Sequence, residues 1–211
     1  YNGPLALMDT ETTGVDVFAD RIVTACVILV PQRPTGGGAR IPEVHSWLAN
    51  PGIEIPEGAS AIHGITTEHA RQYGKSAPEV IEQFASMQAM LMNRGVPLIT
   101  MNGSYDLTIL DRECERYNIE SLSERLPGGV RPVIDVFVID KAIPEERFRK
   151  GKRNLAALCD YYGVEIGQNA HDATVDALAA GRVAWAICRK YPEIANMMLD
   201  ELHDRQVAWK V

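Results

Sequence analysis

The chain has 211 residues, 46% of them hydrophobic and 23% charged, with a formal net charge of −7. This is the composition of an ordinary soluble globular protein with enough surface to bury a core without staples. No apolar run approaches the roughly 18–20 residues needed to span a bilayer, so no membrane association is expected. The opening Tyr1-Asn2-Gly3-Pro4 lacks the charged start and apolar stretch of a signal peptide, and a cytoplasmic location is expected. Cys26, Cys114, Cys159 and Cys188 are widely separated without CxxC spacing and are expected as small, free core residues. Taken alone, an acidic total argues against a dedicated nucleic-acid binder, which usually carries a basic surface, but a cluster of carboxylates would mask a locally basic track, so local charge is the better guide.

In chain order, Pro4 to Met8 is an apolar strand ending at Asp9, followed by the turn-like Thr12-Thr13-Gly14. Arg21 to Val30 is a β-branched second strand. Gly36-Gly37-Gly38 lies in a hairpin connection, and strand-like sequence resumes at Val44, Ser46 and Leu48. Helical pattern begins after Thr66: Ser76-Ala77-Pro78-Glu79 is a start signal, and Val80, Ile81, Phe84, Met87 and Leu91 repeat at helical spacing. Pro97-Leu98-Ile99 and Val133-Ile134 are short strands. Asp106 to Tyr117, Asn154 to Tyr162 and Asp172 to Lys190 are helices, and a last helix ends near Gln206. Three strands followed by alternating helices and strands predict an α/β fold, a mixed sheet with helices on both faces, in one domain over residues 1–211. Trp47, Trp185 and Trp209 share no spacing and are expected in core or terminal packing. Asp135 and Asp140 flank the apolar Val136 to Ile139, which reads as buried structure, and are not counted as ligands.

The chemistry is carried by acids. Asp9 and Glu11 sit two apart at the end of an apolar strand and so point to one side. Two carboxylates that close repel each other, and a hard divalent cation such as magnesium or manganese relieves the repulsion. Asp106 follows Asn102-Gly103-Ser104-Tyr105 at a strand-to-helix junction, where binding and catalytic groups gather in open α/β sheets. Asp176 lies in the early turns of a helix that is apolar along Val175, Leu178, Ala179 and Val183. His171 precedes that helix on a loop, where its ordinary pKa suits a general base acting on water. Nucleophile patterns built on Cys, Ser or Lys are absent, as is a glycine loop for phosphate of the GxxxxGK[ST] kind.

In this order the residues resemble the DEDDh group of the DnaQ-like 3′-to-5′ exonucleases, which have a ribonuclease H-like fold. The resemblance is carried by Leu7-Met8-Asp9-Thr10-Glu11-Thr12-Thr13-Gly14, Asn102-Gly103-Ser104-Tyr105-Asp106 and His171-Asp172-Ala173-Thr174-Val175-Asp176. Asn50-Pro51-Gly52 and Ala61-Ile62-His63-Gly64-Ile65-Thr66 lie between the first two motifs. In the sister DEDDy group a tyrosine stands four residues before the last aspartate; here that place is Asp172, and the histidine five before it matches the DEDDh form.

The resemblance implies that Asp9, Glu11, Asp106 and Asp176 hold two divalent cations, Mg²⁺ or Mn²⁺. Asp9 would bridge both, Glu11 and Asp176 would complete one site, and Asp106 would hold the second ion. His171 would deprotonate the attacking water. Nucleoside 5′-monophosphates would leave from the 3′ end of single-stranded DNA or RNA. Thr12, Ile62, His63, Asn102 and Tyr105 would line the terminal-nucleotide pocket. Many members have a histidine and a phenylalanine where this chain has Met101 and Tyr105; neither change removes a metal ligand, though both touch substrate preference. DNA is favoured. An exoribonuclease or oligoribonuclease and a silent nucleic-acid-binding module are the alternatives, and any polymerase or repair partner is expected as a separate chain. Finally, Arg147, Arg149, Lys150, Lys152 and Arg153 put five cations in seven residues, a candidate phosphate track with Phe148 as a stacking surface.

Overall fold

The computed structural model describes residues 1–146, 149–166 and 171–210. Six strands form one sheet: β1 (Leu5–Thr12), β2 (Ile22–Val30), β3 (Glu43–Asn50), β4 (Lys75–Ser76), β5 (Leu98–Thr100) and β6 (Val133–Asp135). Their order is β4-β3-β2-β1-β5-β6. β1, β2 and β3 form the expected antiparallel meander, while β5 runs parallel to β1 and β6 parallel to β5.

Strand alternation sorts β1 onto two cores. Leu7 joins Cys26, Ile28 and Ile99 against α8 (Ala173–Lys190). Ala6 and Met8 join Ala25, Val27 and Leu98 against residues of α3 (Ala77–Asn93) and α4 (Gly103–Arg116). Continued along the strand, that period of two puts Asp9 and Glu11 on the α8 side and Thr10 on the α4 side. Gly181 lets α8 lie close on β1, since a Cβ there would stand 2.8 Å from Leu7 Cδ1.

The remaining helices are α1 (Glu57–His63), α2 (Thr67–Tyr73), α5 (Leu122–Arg125), α6 (Val136–Ala142), α7 (Leu155–Tyr162), α9 (Pro192–Ala195) and α10 (Leu199–Trp209). Three differences from the sequence reading have physical causes. α1 buries none of its residues, so it carries no apolar periodicity to read. Ser76 is the N-cap of α3 without a side-chain cap bond, and its backbone pairs in the two-residue β4 instead. Trp185 is 62% exposed rather than packed inside, with the Arg189 guanidinium 4.7 Å over its ring. Cys26, Cys114 and Cys159 are buried, Cys188 is half-buried, and all four are free, as expected. Among the described residues no helix is long and apolar enough to cross a membrane.

Candidate active site

The acids converge at the carboxyl end of β1. Asp9 and Glu11 project from its last four residues toward α8, whose first turn supplies Asp176. Asp106 comes from the first turn of α4 and is 4% exposed. Thr10, on the opposite side of β1 from Asp9, donates its hydroxyl to Asp106 Oδ1 at 2.6 Å, which ties the second motif to the first. α8 starts where it does because Asp172 caps it, accepting from Thr174 N at 2.8 Å and from Val175 N at 3.4 Å.

His171, just before that cap, adopts a left-handed backbone (φ 68°) and stays exposed. Its N–H points to Asp176 Oδ1 at 3.4 Å, and its Nδ1 lies 3.9 Å from Asp176 Oδ2. One donor atom each of Glu11, His171 and Asp176 falls within 4.8 Å of the other two.

The electrostatics of the cluster are those of crowded anions. Burial first, then the charges of Asp106, Glu11 and Asp176, push the Asp9 carboxyl well above the usual carboxylate range. Glu11 is pushed up to about 8 by burial and by Asp176 and Asp106. Burial raises Asp106 to about 6 against the opposing Thr10 hydroxyl, and burial raises Asp176 as well. Buried carboxylates, two of them also pushed up by their neighbours' charges, are a donor set matched to hard divalent cations, so the residues fit the metals that the motifs imply.

Of the nucleotide-pocket candidates, Thr12, Tyr105 and His63 lie near these acids. Tyr105, one residue before Asp106, donates its hydroxyl to the Gly14 carbonyl, which also accepts from Thr12 Oγ1 at 2.7 Å. The Thr12 and Tyr105 oxygens are 2.8 Å apart, so the hydroxyl that distinguishes tyrosine from phenylalanine here fastens the first-motif turn to α4. Ile62 is 57% exposed on α1, an apolar side chain open to a ligand. His63 shares a cavity with Glu11 and His171; its Nδ1 accepts from Ile65 N, and its Nε2 is buried without a partner among the described residues. Burial holds the His63 imidazole below its ordinary pKa, favouring the neutral ring. Asn102 is exposed at the N-cap of α4.

The basic stretch divides. Arg149 and Arg153 turn inward: both pair with fully buried Asp140, at 2.5 and 2.9 Å, and Arg149 also reaches Glu146. Lys150 and Lys152 are exposed. Arg147 and Phe148 lie outside the described residues.

Asp135 has a part that sequence alone did not assign to it. Its carboxylate accepts from Asn102 N at 2.9 Å, Gly103 N at 3.0 Å and Phe137 N at 3.0 Å. It thereby holds Asn102 in a left-handed conformation (φ 60°) from which α4 starts. Gln206 of α10 pairs with β6 in turn, accepting from Asp135 N at 2.7 Å and donating to Val133 O at 3.0 Å. The local signal was an aspartate between a strand and a helix, an N-cap pattern; its reach to Asn102 across 32 to 33 residues has no sequence signature. Asp135→Ala is expected to cost about 2–4 kcal/mol, because three backbone donors lose their acceptor. It should also lower cation-dependent turnover, with Asp135→Asn recovering part of both. Thermal unfolding and turnover of the two variants check this, and an unchanged Tm contradicts it.

The model of the RNase_T exonuclease family matches residues 7–184. The chain belongs to this exonuclease family. It is 30% identical over 179 residues to a "DNA polymerase III subunit epsilon-like protein" of Rhodobacter capsulatus, covering 82% of this chain and 22% of that protein. Among solved structures it resembles E. coli exonuclease I in complex with a dT13 oligonucleotide, with TM-score 0.69 and 20% identity over 92% of this chain and 43% of that one. It also resembles exonuclease I of Methylocaldum szegediense, with TM-score 0.71 and 22% identity over 90% of this chain and 41% of that one. The chain therefore spans between about a fifth and two-fifths of the length of these relatives. The fold and DnaQ-like membership expected from the motifs are those found.

Proposed function

We propose that the chain hydrolyses phosphodiester bonds at the 3′ end of single-stranded nucleic acid, DNA favoured, releasing nucleoside 5′-monophosphates. The observation that carries this reading is the gathering of Asp9, Glu11, Asp106 and Asp176 at the end of β1, with His171 beside Glu11 and Asp176. The four carboxylates would hold two divalent cations, Mg²⁺ or Mn²⁺, which supply Lewis acidity at the phosphoryl oxygen and make bound water more acidic. His171 has its Nδ1 on the Asp176 side, which leaves Nε2 to take the proton from the attacking water. The Thr12–Gly14–Tyr105 contacts hold the pocket floor for the terminal nucleotide, Ile62 offers an apolar wall, and His63 and Asn102 offer polar edges. Lys150 and Lys152 remain for phosphate contacts, while Arg149 and Arg153 anchor their loop.

DNA is favoured because the E. coli structure of this fold holds a dT13 oligonucleotide. The similarity to an epsilon-like polymerase III protein supports a polymerase or repair protein as partner. Competition between matched DNA and RNA strands, with products identified by chromatography, tests the reading. Nucleoside 5′-monophosphates released faster from DNA are expected. Nucleoside 3′-monophosphates would overturn the chemistry, and faster release from RNA would turn the substrate to the exoribonuclease alternative.

A further inference from the structure

β6 is the outer strand of the sheet on the side away from the meander, so one row of its backbone groups has no strand to pair with. Leu98 N donates to Pro132 O, which turns that carbonyl toward β5 and leaves the backbone groups of Val133 and Asp135 facing outward. Three of these groups are met by side chains of α10. His203 Nδ1 accepts from Val133 N at 3.2 Å. Gln206 Nε2 donates to Val133 O at 3.0 Å, and its Oε1 accepts from Asp135 N at 2.7 Å. The other Nε2 hydrogen goes to Leu202 O at 3.0 Å, so only one orientation satisfies this buried amide. A glutamine side chain thus does for β6 what a peptide group of a seventh strand would do.

The contact reaches the second motif. Gln206 holds the N–H of Asp135, and the Asp135 carboxylate holds the N–H groups of Asn102 and Gly103. Asn102 has φ 60°, a left-handed conformation that persists where the surroundings fix it. α4 starts from that residue, and Asp106 stands in its first turn. A cavity of about 210 Å³ lies between the two helices, bordered by Gly103, Ser104 and Leu107 of α4 and by His203 and Val207 of α10. Space rather than side-chain packing occupies that part of the contact, so the hydrogen bonds through β6 carry the link. α10 lies beyond residues 7–184, so the match to the exonuclease family does not account for it.

We propose that Gln206 is a positioning residue for the second cation. It holds Asp135, Asp135 holds the Asn102–Gly103 turn, and that turn aims Asp106 at the ion it would bind. Asp9, Glu11 and Asp176 reach the site from β1 and α8, without passing through β6. A defect at Gln206 therefore falls on one cation and spares the other. This inference rests on the two-cation nuclease reading above.

The test compares the whole native chain with Gln206→Met, which keeps the side-chain length and removes its donors and acceptor. Gln206→Glu, which keeps an acceptor for Asp135 N, is the milder variant. Leu202→Ala is the control, because Leu202 is buried on the same helix in the core beneath α8 and its side chain makes none of the β6 bonds. Hydrogen exchange is read first, without any cation. Relative to amides in the middle of β1, those of Asn102 and Gly103 should exchange about tenfold faster in Gln206→Met, the scale of one hydrogen bond. They should not change in Leu202→Ala. Calorimetric titration with Mn²⁺ follows, and Asp106→Asn identifies the step that belongs to the second ion. Gln206→Met should weaken that step by about tenfold, the low end for a partner outside the ligand shell, and leave the other within about twofold. Gln206→Glu should fall between, and it carries the same comparison if Gln206→Met does not fold. With Mg²⁺, kcat should drop and recover as the cation is raised, while KM for a 3′ end stays the same. If Gln206→Met only melts lower, as Leu202→Ala does, and keeps both ion affinities and slow Asn102 exchange, the positioning role is overturned and the nuclease reading stands. A second ion weakened by Gln206→Met in a native chain that cleaves no 3′ end overturns the nuclease reading and leaves the positioning role. A native chain that takes no second ion overturns both.

Discussion

Asp9→Asn is expected to abolish hydrolysis while making the cation-free protein more stable. The two effects have one cause. Asp9 stands at the centre of the cluster, where burial and the charges of Asp106, Glu11 and Asp176 all oppose its ionisation. An amide keeps the shape and removes the charge, so the cation-free protein loses repulsion, whereas the cations that Asp9 would help to hold lose a charged ligand. Activity should fall by roughly 10³-fold or more, at least what removing one electrostatic group from a preorganised site costs elsewhere. Stability in chelator should rise by about 1 kcal/mol, which for a chain of this size is a Tm gain of roughly 2–4 °C. Turnover and thermal unfolding of the same preparation decide it. A variant that melts lower in chelator and keeps its turnover would show that the carboxylates do not form one metal-binding unit.

Cation affinity should climb steeply with pH, and cation-free stability should fall over the same range. Glu11 is held at about 8 and Asp106 at about 6, both above their ordinary values. Between the usual carboxylate range and about pH 8 the native state therefore binds more protons than the unfolded chain. Under that condition unfolding free energy decreases as pH rises. The stabilising effect is complete at the acid end and is lost as pH passes through the raised values. A divalent cation must displace those protons, so its apparent affinity should gain up to about tenfold per pH unit for each proton released. Calorimetric titration of Mn²⁺ at about pH 6 and about pH 8, in buffers of different ionisation enthalpy, measures both affinity and proton release. Equal affinity at the two pH values, with no proton release, would contradict the crowded-anion description of the site.

The acids were legible because their geometry is local. A period of two puts Asp9 and Glu11 on one side of β1, and an N-cap aspartate at 172 fixes where α8 begins and hence where Asp176 falls. The meander and the long apolar-faced helices followed from the same short-range periods. What escaped depends on distant partners or on missing burial. α1 has no buried face, so nothing in its seven residues repeats at helical spacing against a core. Thr10 reads as a spacer between two acids, and only the arrival of Asp106 from 96 residues away makes it a positioning group. The run from Arg147 to Arg153 reads as one solvated basic track; yet Arg149 and Arg153 are drawn inward by Asp140, an acid that the sequence shows only at the flank of an apolar segment. Charge density along a chain does not say which side chains find a buried counter-ion, because that is settled by tertiary contact.

The most direct test is digestion of a 5′-labelled single-stranded DNA with Mg²⁺ or Mn²⁺, run beside Asp9→Asn and a chelator control. The expected result is a ladder that shortens one nucleotide at a time from the 3′ end with the native chain and cation, and an intact strand in both controls. Internal fragments, a ladder that survives chelation, or equal cleavage by Asp9→Asn would contradict a cation-dependent 3′-to-5′ exonuclease built on these four carboxylates.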